Sequence, residues 1–174
     1  MQNVIDRLAV KRDDILAKKD DDKGFTLIEL LVVVVIIGVL VAIAVPVYLN
    51  YRQGAADKSA QSDVRGAISA VEQYYTNNGN AYPGTAQQVD NSAGTPATSI
   101  MKLTGSNGDA TITLSDKTKM QYYPVPATAT APAGYRVCAV NTGGSGKYYV
   151  YDSGLGGSVK ASSSINSTNF NTCG

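Results

Sequence analysis

The stretch that decides the fold is Lys23–Tyr48, which reads KGFTLIELLVVVVIIGVLVAIAVPVY. Leu30–Leu49 is a run of twenty residues without a charge, about 30 Å long as a helix and sufficient to span a bilayer. One acid, Glu29, stands at the start of this run. A carboxylate in a membrane segment costs a few kcal/mol near the centre and less near an end, and it usually has a partner. The position of Glu29 therefore needs an explanation.

Two explanations of Glu29 are open. Thr26-x-x-Glu29 before an apolar run has the form of a capping box, in which the acid accepts a hydrogen bond from the Thr26 amide. Alternatively, a cut between Gly24 and Phe25 would create an α-amine, cationic near neutral pH, four positions before Glu29. Because that amine would lie about 6 Å up the axis of the same helix, the amine of a neighbouring subunit could compete for the same acid.

The charges on either side of the span predict its orientation. Residues 1–24 are polar and carry six basic residues and six Asp. After the span, Arg52 and Lys58 are the first basic residues. Since Lys and Arg are denser before the span, the N-terminus is predicted to be cytoplasmic and everything after Tyr51 to lie outside.

A second pattern continues the helix beyond the membrane. Over Gln53–Tyr75 the apolar residues recur mostly at spacings of three and four, which predicts one stripe of an amphipathic helix. The stripe consists of Ala56, Ala60, Val64, Ala67, Ile68, Val71 and Tyr75. Asn77, Asn78 and Gly79 supply a left-handed stop. One helix is therefore expected from about Thr26 to Asn77, with a kink where Pro46 removes a backbone donor.

The chain after Gly79 predicts a small antiparallel sheet. Residues 80–109 have no clear period and are expected to form mainly a long loop, and residues 126–134 an irregular connector. Pro124 should restrict its strand to a sheet edge, and NTGGSG at 141–146 is typical of a hairpin connection. Candidate strands are Ala110–Leu114, Met120–Val125, Tyr135–Val140 and Lys147–Asp152.

The two cysteines, Cys138 and Cys173, both fall on the predicted external side, where disulfides persist. A bridge would tie the C-terminal tail to the sheet and contribute on the order of 4 kcal/mol in the chain-entropy model. The alternative is two unpaired thiols. The fold class predicted is α+β: a long N-terminal helix, transmembrane over 25–51 and amphipathic over 52–79, packed on a small antiparallel sheet within 80–174, with a disulfide-tied tail.

The stretch at residues 23–52 closely resembles the N-terminal processing and assembly motif of type IV pilins and their pseudopilin relatives. The matching positions are Gly24, Phe25, Thr26, Leu27, Glu29, Gly38 and Pro46. AISAVEQYYTNNGNAYP, which begins at Ala67, also resembles the end of a pilin's long helix. After Pro83 the likeness is one of layout only. The leader of 24 residues is longer than in many pilins.

The resemblance implies a life cycle. A prepilin peptidase would cut after Gly24, remove leader residues 1–24 and methylate the amine of Phe25. The subunit would wait in the cytoplasmic membrane, in contact with lipid, until an assembly platform and its ATPase add it to a helical homopolymer. There Glu29 would neutralise the Phe25 amine of an adjacent subunit, and the helix would loosen between Gly38 and Pro46. A major pilin of this kind serves adhesion, twitching motility or DNA uptake.

Three other functions stay open. A pseudopilin of a type II secretion or competence system shares the same N-terminal chemistry. An ordinary secretory signal, cut after Ala42-Ile43-Ala44, would leave Glu29 unexplained. A membrane-tethered extracellular enzyme finds little support, since the chain has no His and no Ser/His/Asp set or cofactor motif.

Binding of metal, sugar or nucleic acid also has little support in the residues. Calcium binding by Asp90, Asp109, Asp116 and Asp152 lacks a ligand spacing, so neither a metal nor a cofactor is expected. Asn166-Ser167-Thr168 matches a glycosylation acceptor, a triplet frequent by chance in such a tail. A net charge of +1 gives no reason to expect broad electrostatic attraction to nucleic acid or anionic lipid, and binding of DNA or of a surface is without support in the sequence.

Overall fold

The computed structural model describes residues 24–95 and 99–174. Residues 1–23, the greater part of the predicted leader, lie outside this range. The chain divides into two compact units between Pro46 and Val47, and each is described by itself.

The long helix predicted from the two apolar patterns is confirmed. Helix α1 spans Leu27–Asn77 and its assignment continues through Pro46, where a kink remains a prediction. Beyond its last residue, Gly79 has a φ of 68°. The Asn80 amide donates to the Tyr75 carbonyl over 3.0 Å, which closes the end of the helix in a Schellman motif. The left-handed stop is therefore where the sequence predicts it.

The unit Val47–Gly174 contains two antiparallel sheets. The larger has the strand order β1-β4-β5-β6-β7, and the smaller pairs β2 with β3. The strands are β1 (Gln87–Asp90), β2 (Ile100–Leu103), β3 (Ala110–Thr113), β4 (Thr118–Val125), β5 (Gly134–Asn141), β6 (Tyr148–Asp152) and β7 (Lys160–Ser162), followed by a 3₁₀ helix at Phe170–Thr172. The predicted hairpin between β5 and β6 is present, with Cys138 opposite Val150.

The long loop expected over residues 80–109 is wrong in part, because this segment contains β1 and β2. The β1 sequence QQVD has one β-branched residue and little strand propensity of its own. It becomes a strand by pairing with β4, where Gln87 lies opposite Tyr122, and the Lys119 ammonium lies 3.3 Å from the Asp90 carboxylate. Tertiary pairing, rather than local preference, makes this segment a strand.

The edge position expected for the strand that holds Pro124 is also wrong. Strand β4 lies inside the sheet, between β1 and β5. Its pairing with β1 ends at Tyr122, whereas its pairing with β5 continues to Val125. Pro124 therefore lies where β5 is the only neighbouring strand. Because β1 does not pair with this part of β4, the missing amide proton of Pro124 costs no hydrogen bond to β1.

The larger sheet is covered on both faces. Val137 and Ala139 of β5 belong to the core that α1 closes, whereas Cys138 packs with Ile165 and Phe170 of the C-terminal segment. Successive residues of a strand point to opposite faces, so the helix covers one face and the tail covers the other. The stripe residues Ala60, Val64, Ala67 and Val71 are fully buried. At the end of the stripe it is Tyr74, rather than the expected Tyr75, that is buried.

The predicted disulfide is present in the second of these cores. Cys138 and Cys173 are bonded, with their Cα atoms 5.6 Å apart, and both are buried. The bridge holds the tail against the face of the sheet that is turned away from α1.

Two buried carboxylates attach the loops of the sheet domain to α1. Asp63 accepts hydrogen bonds from the amide and the hydroxyl of Ser115, both at 2.8 Å. Six residues earlier, Asp57 accepts from the amide of Ser145 at 3.0 Å and from its hydroxyl. Each carboxylate thus uses both oxygens to fix one loop, which compensates the cost of burying its charge.

We expect Asp63→Ala to lower the free energy of unfolding by about 2 kcal/mol, because it leaves the Ser115 amide and hydroxyl without their acceptor. The matched control is Asp116→Ala, an exposed acid in the same turn, which should change stability by less than about 0.5 kcal/mol. Denaturant unfolding of the full chain in detergent, followed by near-ultraviolet circular dichroism, measures both. Equal effects of the two substitutions would contradict the anchoring role of Asp63.

Candidate assembly site at the start of the long helix

The first turn of α1 is closed by a reciprocal set of hydrogen bonds. The Thr26 amide donates to Oε2 of Glu29 at 2.9 Å, and the Thr26 hydroxyl donates to the same oxygen at 2.7 Å. In return, the Glu29 amide donates to the Thr26 hydroxyl oxygen at 3.3 Å. The predicted capping box is therefore present, and it places the acid at the positive end of the helix dipole.

The cap occupies only one oxygen of the carboxylate. Within residues 24–95 and 99–174, no group donates to Oε1 of Glu29. The side chain is exposed, so Oε1 is accessible to a donor from outside the chain. The cap and an additional cationic partner are thus sterically compatible at Glu29.

The helix that follows the cap is apolar around its whole circumference. The large side chains of Leu27–Leu49 are between about half and four-fifths exposed, from 48% at Val33 to 84% at Leu27. A helix on the surface of a globular protein has one apolar stripe, and this one has no polar face. In the described part of the chain, this is the one helix that is long enough and apolar enough to cross a membrane. None of its most apolar segment is buried.

The other predicted site residues lie along or before this helix. Gly24 and Phe25 precede α1 in non-helical backbone, and the Phe25 side chain is 79% exposed. Gly38 lies inside α1, and a Cβ placed there would meet no atom within 4 Å. Packing within the chain therefore does not require a glycine at position 38. The roles of these residues in cleavage, methylation and assembly remain predictions.

The acids considered as calcium ligands are separated in the fold. Asp90 pairs with Lys119, Asp109 with Lys102, and Asp152 with Arg136. Among the residues that the structure describes, no three or more acids, histidines or cysteines converge to hold a metal ion. Asp90, Asp109 and Asp152 are thus each part of a separate ion pair.

Comparison with known proteins shows which proteins the chain is similar to. The model of the prokaryotic N-terminal methylation motif matches residues 19–45, which include the cap and most of the apolar helix. The chain is 37% identical to type IV major pilin protein PilE of Neisseria gonorrhoeae over 95 residues, 53% of this chain and 56% of that protein. The N-terminal part of the chain is thus similar to type IV pilins and their pseudopilin relatives.

Other relatives show both branches of the family. A fimbrial protein of Neisseria meningitidis is 42% identical over 80 residues, 46% of this chain and 44% of that protein. The type II secretion system core protein G of Aeromonas hydrophila is 37% identical over 73 residues, 42% of this chain and 50% of that protein. The chain thus spans about half the length of the curated relatives it matches. No solved structure matches it.

Proposed function

We propose that this pilin is the major structural subunit of a type IV pilus. The observation that supports this most strongly is the exposed apolar helix with a capped acid at its start. Exposed apolar surface of this extent is unfavourable in water. Two surroundings can cover it: the hydrocarbon of a bilayer before assembly, and the helices of other subunits in a filament afterwards.

The comparisons favour a major pilin over a pseudopilin. The relatives named as major pilins and fimbrial proteins match the chain over up to 101 residues. The relative from a type II secretion system matches over 73 residues. A pseudopilin is therefore the second candidate, since the shared region is mainly the helix that both kinds of protein use.

Processing is the first step of the proposal. A prepilin peptidase cuts between Gly24 and Phe25 and methylates the new amine, while the N-terminus is still cytoplasmic. The exposed, non-helical backbone of these two residues supports this, because a protease needs an extended, accessible segment. The cut leaves the capping box intact, since Thr26 and Glu29 are both on the retained side.

Assembly is the second step. An assembly platform and its ATPase move the subunit from the membrane into a homopolymer. There the Phe25 amine of an adjacent subunit binds Oε1 of Glu29, the carboxylate oxygen that the cap leaves open. In the low dielectric of a helix bundle this pair is much stronger than in water, and it neutralises both groups. Adhesion, twitching motility and DNA uptake are the activities that a filament of this type would serve.

The first prediction concerns the cut. The mature protein should begin at Phe25 and be heavier by one methyl group, as measured by intact and N-terminal mass spectrometry. Gly24→Val should abolish the mature form, because a branched side chain at the cut excludes the peptidase. Gly84→Val is the matched control, since Gly84 is exposed with open space around it, and it should be processed normally. A product that begins at Val45 would instead indicate an ordinary secretory signal.

The second prediction separates the charge of Glu29 from its capping role. Glu29→Gln keeps an acceptor for the Thr26 amide but removes the charge, so filament yield should fall roughly tenfold or more. Thr26→Val removes the hydroxyl but keeps the carboxylate, so most of the yield should remain. Filaments sheared from cells are quantified against processed subunit in the membrane, because that ratio corrects for any change in cleavage.

The opposite ranking of these two variants would contradict the pairing. If Glu29→Gln assembles like the wild type while Thr26→Val fails, the cap rather than the charge is what assembly requires. Normal yield from Glu29→Ala, which lacks both functions, would contradict any role of the acid in assembly.

The third prediction tests the function itself. Deletion of the gene should remove long surface fibres, as seen by electron microscopy, and the wild-type gene supplied on a plasmid should restore them. Unchanged fibres together with loss of a secreted enzyme would assign the chain to the pseudopilins instead.

A further inference from the structure

Three segments of the unit Val47–Gly174 meet around the first turns of α1 in that unit. The loop between β5 and β6 is fixed to α1 by the bonds from Ser145 to Asp57. The turn before β4 is fixed six residues farther along α1, by the bonds from Ser115 to Asp63. The two loops are also joined to each other, because the Thr142 amide donates to the Lys117 carbonyl at 2.9 Å.

These segments bring four cations to one end of the unit. The cations are Arg52, Lys58, Lys117 and Lys147. All four residues are exposed, and within the described ranges none of them forms an ion pair. We call these four residues the basic collar.

Among the described residues, none of the acids near the basic collar forms an ion pair with it. Asp57 and Asp63 are buried, at 5% and 9% exposure, and both oxygens of each carboxylate are used by serines. Asp116 is the exposed acid in these segments.

The rest of the unit has a different charge pattern. Lys102, Lys119 and Arg136 each pair with an Asp. Of the six cations without an ion pair in the described part of the chain, four are therefore in the basic collar. The other two are Arg65, two turns farther along α1, and Lys160 on β7.

The basic collar lies next to the apolar end of this unit. Val47, Tyr48, Leu49 and Tyr51 precede it on α1 and are all about half exposed or more. Tyrosines at the end of an apolar span are typical of the level where hydrocarbon gives way to headgroups. The Arg52 guanidinium lies 6.0 Å from the centre of the Tyr48 ring, so the first cation of the collar is at that level.

Lys58 is within reach of the headgroups in the proposed membrane-held state, and Lys117 and Lys147 belong to the loops that are bonded to α1 and to each other beside it. Lys58 is six residues after Arg52, about 9 Å farther along the helix axis. Side chains on a helix lean toward its N-terminus, which is the membrane side here. The headgroup layer is about 5–8 Å thick, and charges interact across a screening length of about 8–10 Å.

We propose that the basic collar binds the phosphates of anionic phospholipids in the outer leaflet of the cytoplasmic membrane. This inference rests on the proposed membrane-held state of the subunit. The contact holds the sheet domain against the bilayer before assembly, and it must be released when the subunit enters a filament. The lipid composition of the membrane then influences how readily subunits are withdrawn.

The test uses the full mature subunit in nanodiscs made of phosphatidylcholine alone or of phosphatidylcholine with phosphatidylglycerol. Hydrogen exchange of the amides in 115–118 and 142–147 is the readout. In the anionic nanodiscs these amides should exchange roughly threefold or more slowly than in the neutral ones. High salt should remove the difference, because screening weakens the attraction.

Matched variants locate the effect. The triple variant Lys58→Gln, Lys117→Gln and Lys147→Gln should show equal exchange in both kinds of nanodisc. The control Arg65→Gln, Lys102→Gln and Lys160→Gln removes the same charge away from the collar and should behave like the wild type. If the wild type exchanges equally in both lipids, or if the control loses the difference as well, the proposal is overturned.

Insertion is measured separately, as retention of the subunit in nanodiscs after size-exclusion chromatography in high salt. Retention of the wild type and of both triple variants would show that the membrane-held state does not depend on the collar. If the wild type is retained but its exchange does not depend on the lipid, only the proposed lipid contact of the collar is overturned. Failure of the wild type to insert would overturn the collar and the proposed membrane-held state together. Protection that is equally strong in neutral lipid would exclude recognition of the net negative charge of the anionic phospholipid.

Discussion

The structure depends on one constraint: the first half of α1 is apolar on every side, and the described part of the chain does not cover it. A bilayer and a bundle of like helices are both apolar, so moving the helix from one to the other changes little in hydrophobic free energy. Polar groups and external work must then decide where the subunit lies. In the proposed assembly, a single acid near the helix start therefore has an influence larger than its share of the surface.

The second half of α1 has a different role, because it packs against the sheets of the same chain. Its stripe of Ala and Val is covered by the sheets, and small side chains there allow the sheet to approach closely. Asp57 and Asp63 then fix the two loops nearest the apolar end. The two loops fixed in this way carry two of the cations that form no ion pair among the described residues, Lys117 and Lys147.

Much of this fold is predictable from the sequence where the signal is local. The apolar run, the three-and-four spacing and the Asn-Asn-Gly stop are continuous in the chain, so the bounds of α1 follow within one residue. The strands β5 and β6 are rich in Val and Tyr and flank a glycine-rich turn. By contrast, QQVD in β1 and KAS in β7 become strands because neighbouring strands supply their hydrogen bonds. The local sequence preference of a segment does not indicate which strands will pair with it.

The same distinction between local and distant partners applies to the acids of α1. Thr26 and Glu29 are three residues apart, so the spacing alone predicts their hydrogen bonds. Asp57 and Asp63 are harder to assign, because an acid on an amphipathic helix is normally solvated. Their serine partners are 88 and 52 residues away along the chain. The available signal is that each acid lies beside a residue of the apolar stripe, Asp57 next to Ala56 and Asp63 next to Val64.

The two explanations of Glu29 are therefore complementary rather than exclusive. The hydrogen bonds from Thr26 hold Oε2 and so restrict the side chain to one orientation before any partner arrives. A carboxylate that is already ordered loses less conformational entropy on binding an amine than a free one does. In the proposed filament, the cap thus prepares Oε1 for a neighbouring chain end. Because the cap involves only residues after Gly24, it persists through a cut at that point, and the only new group that the cut adds is the amine.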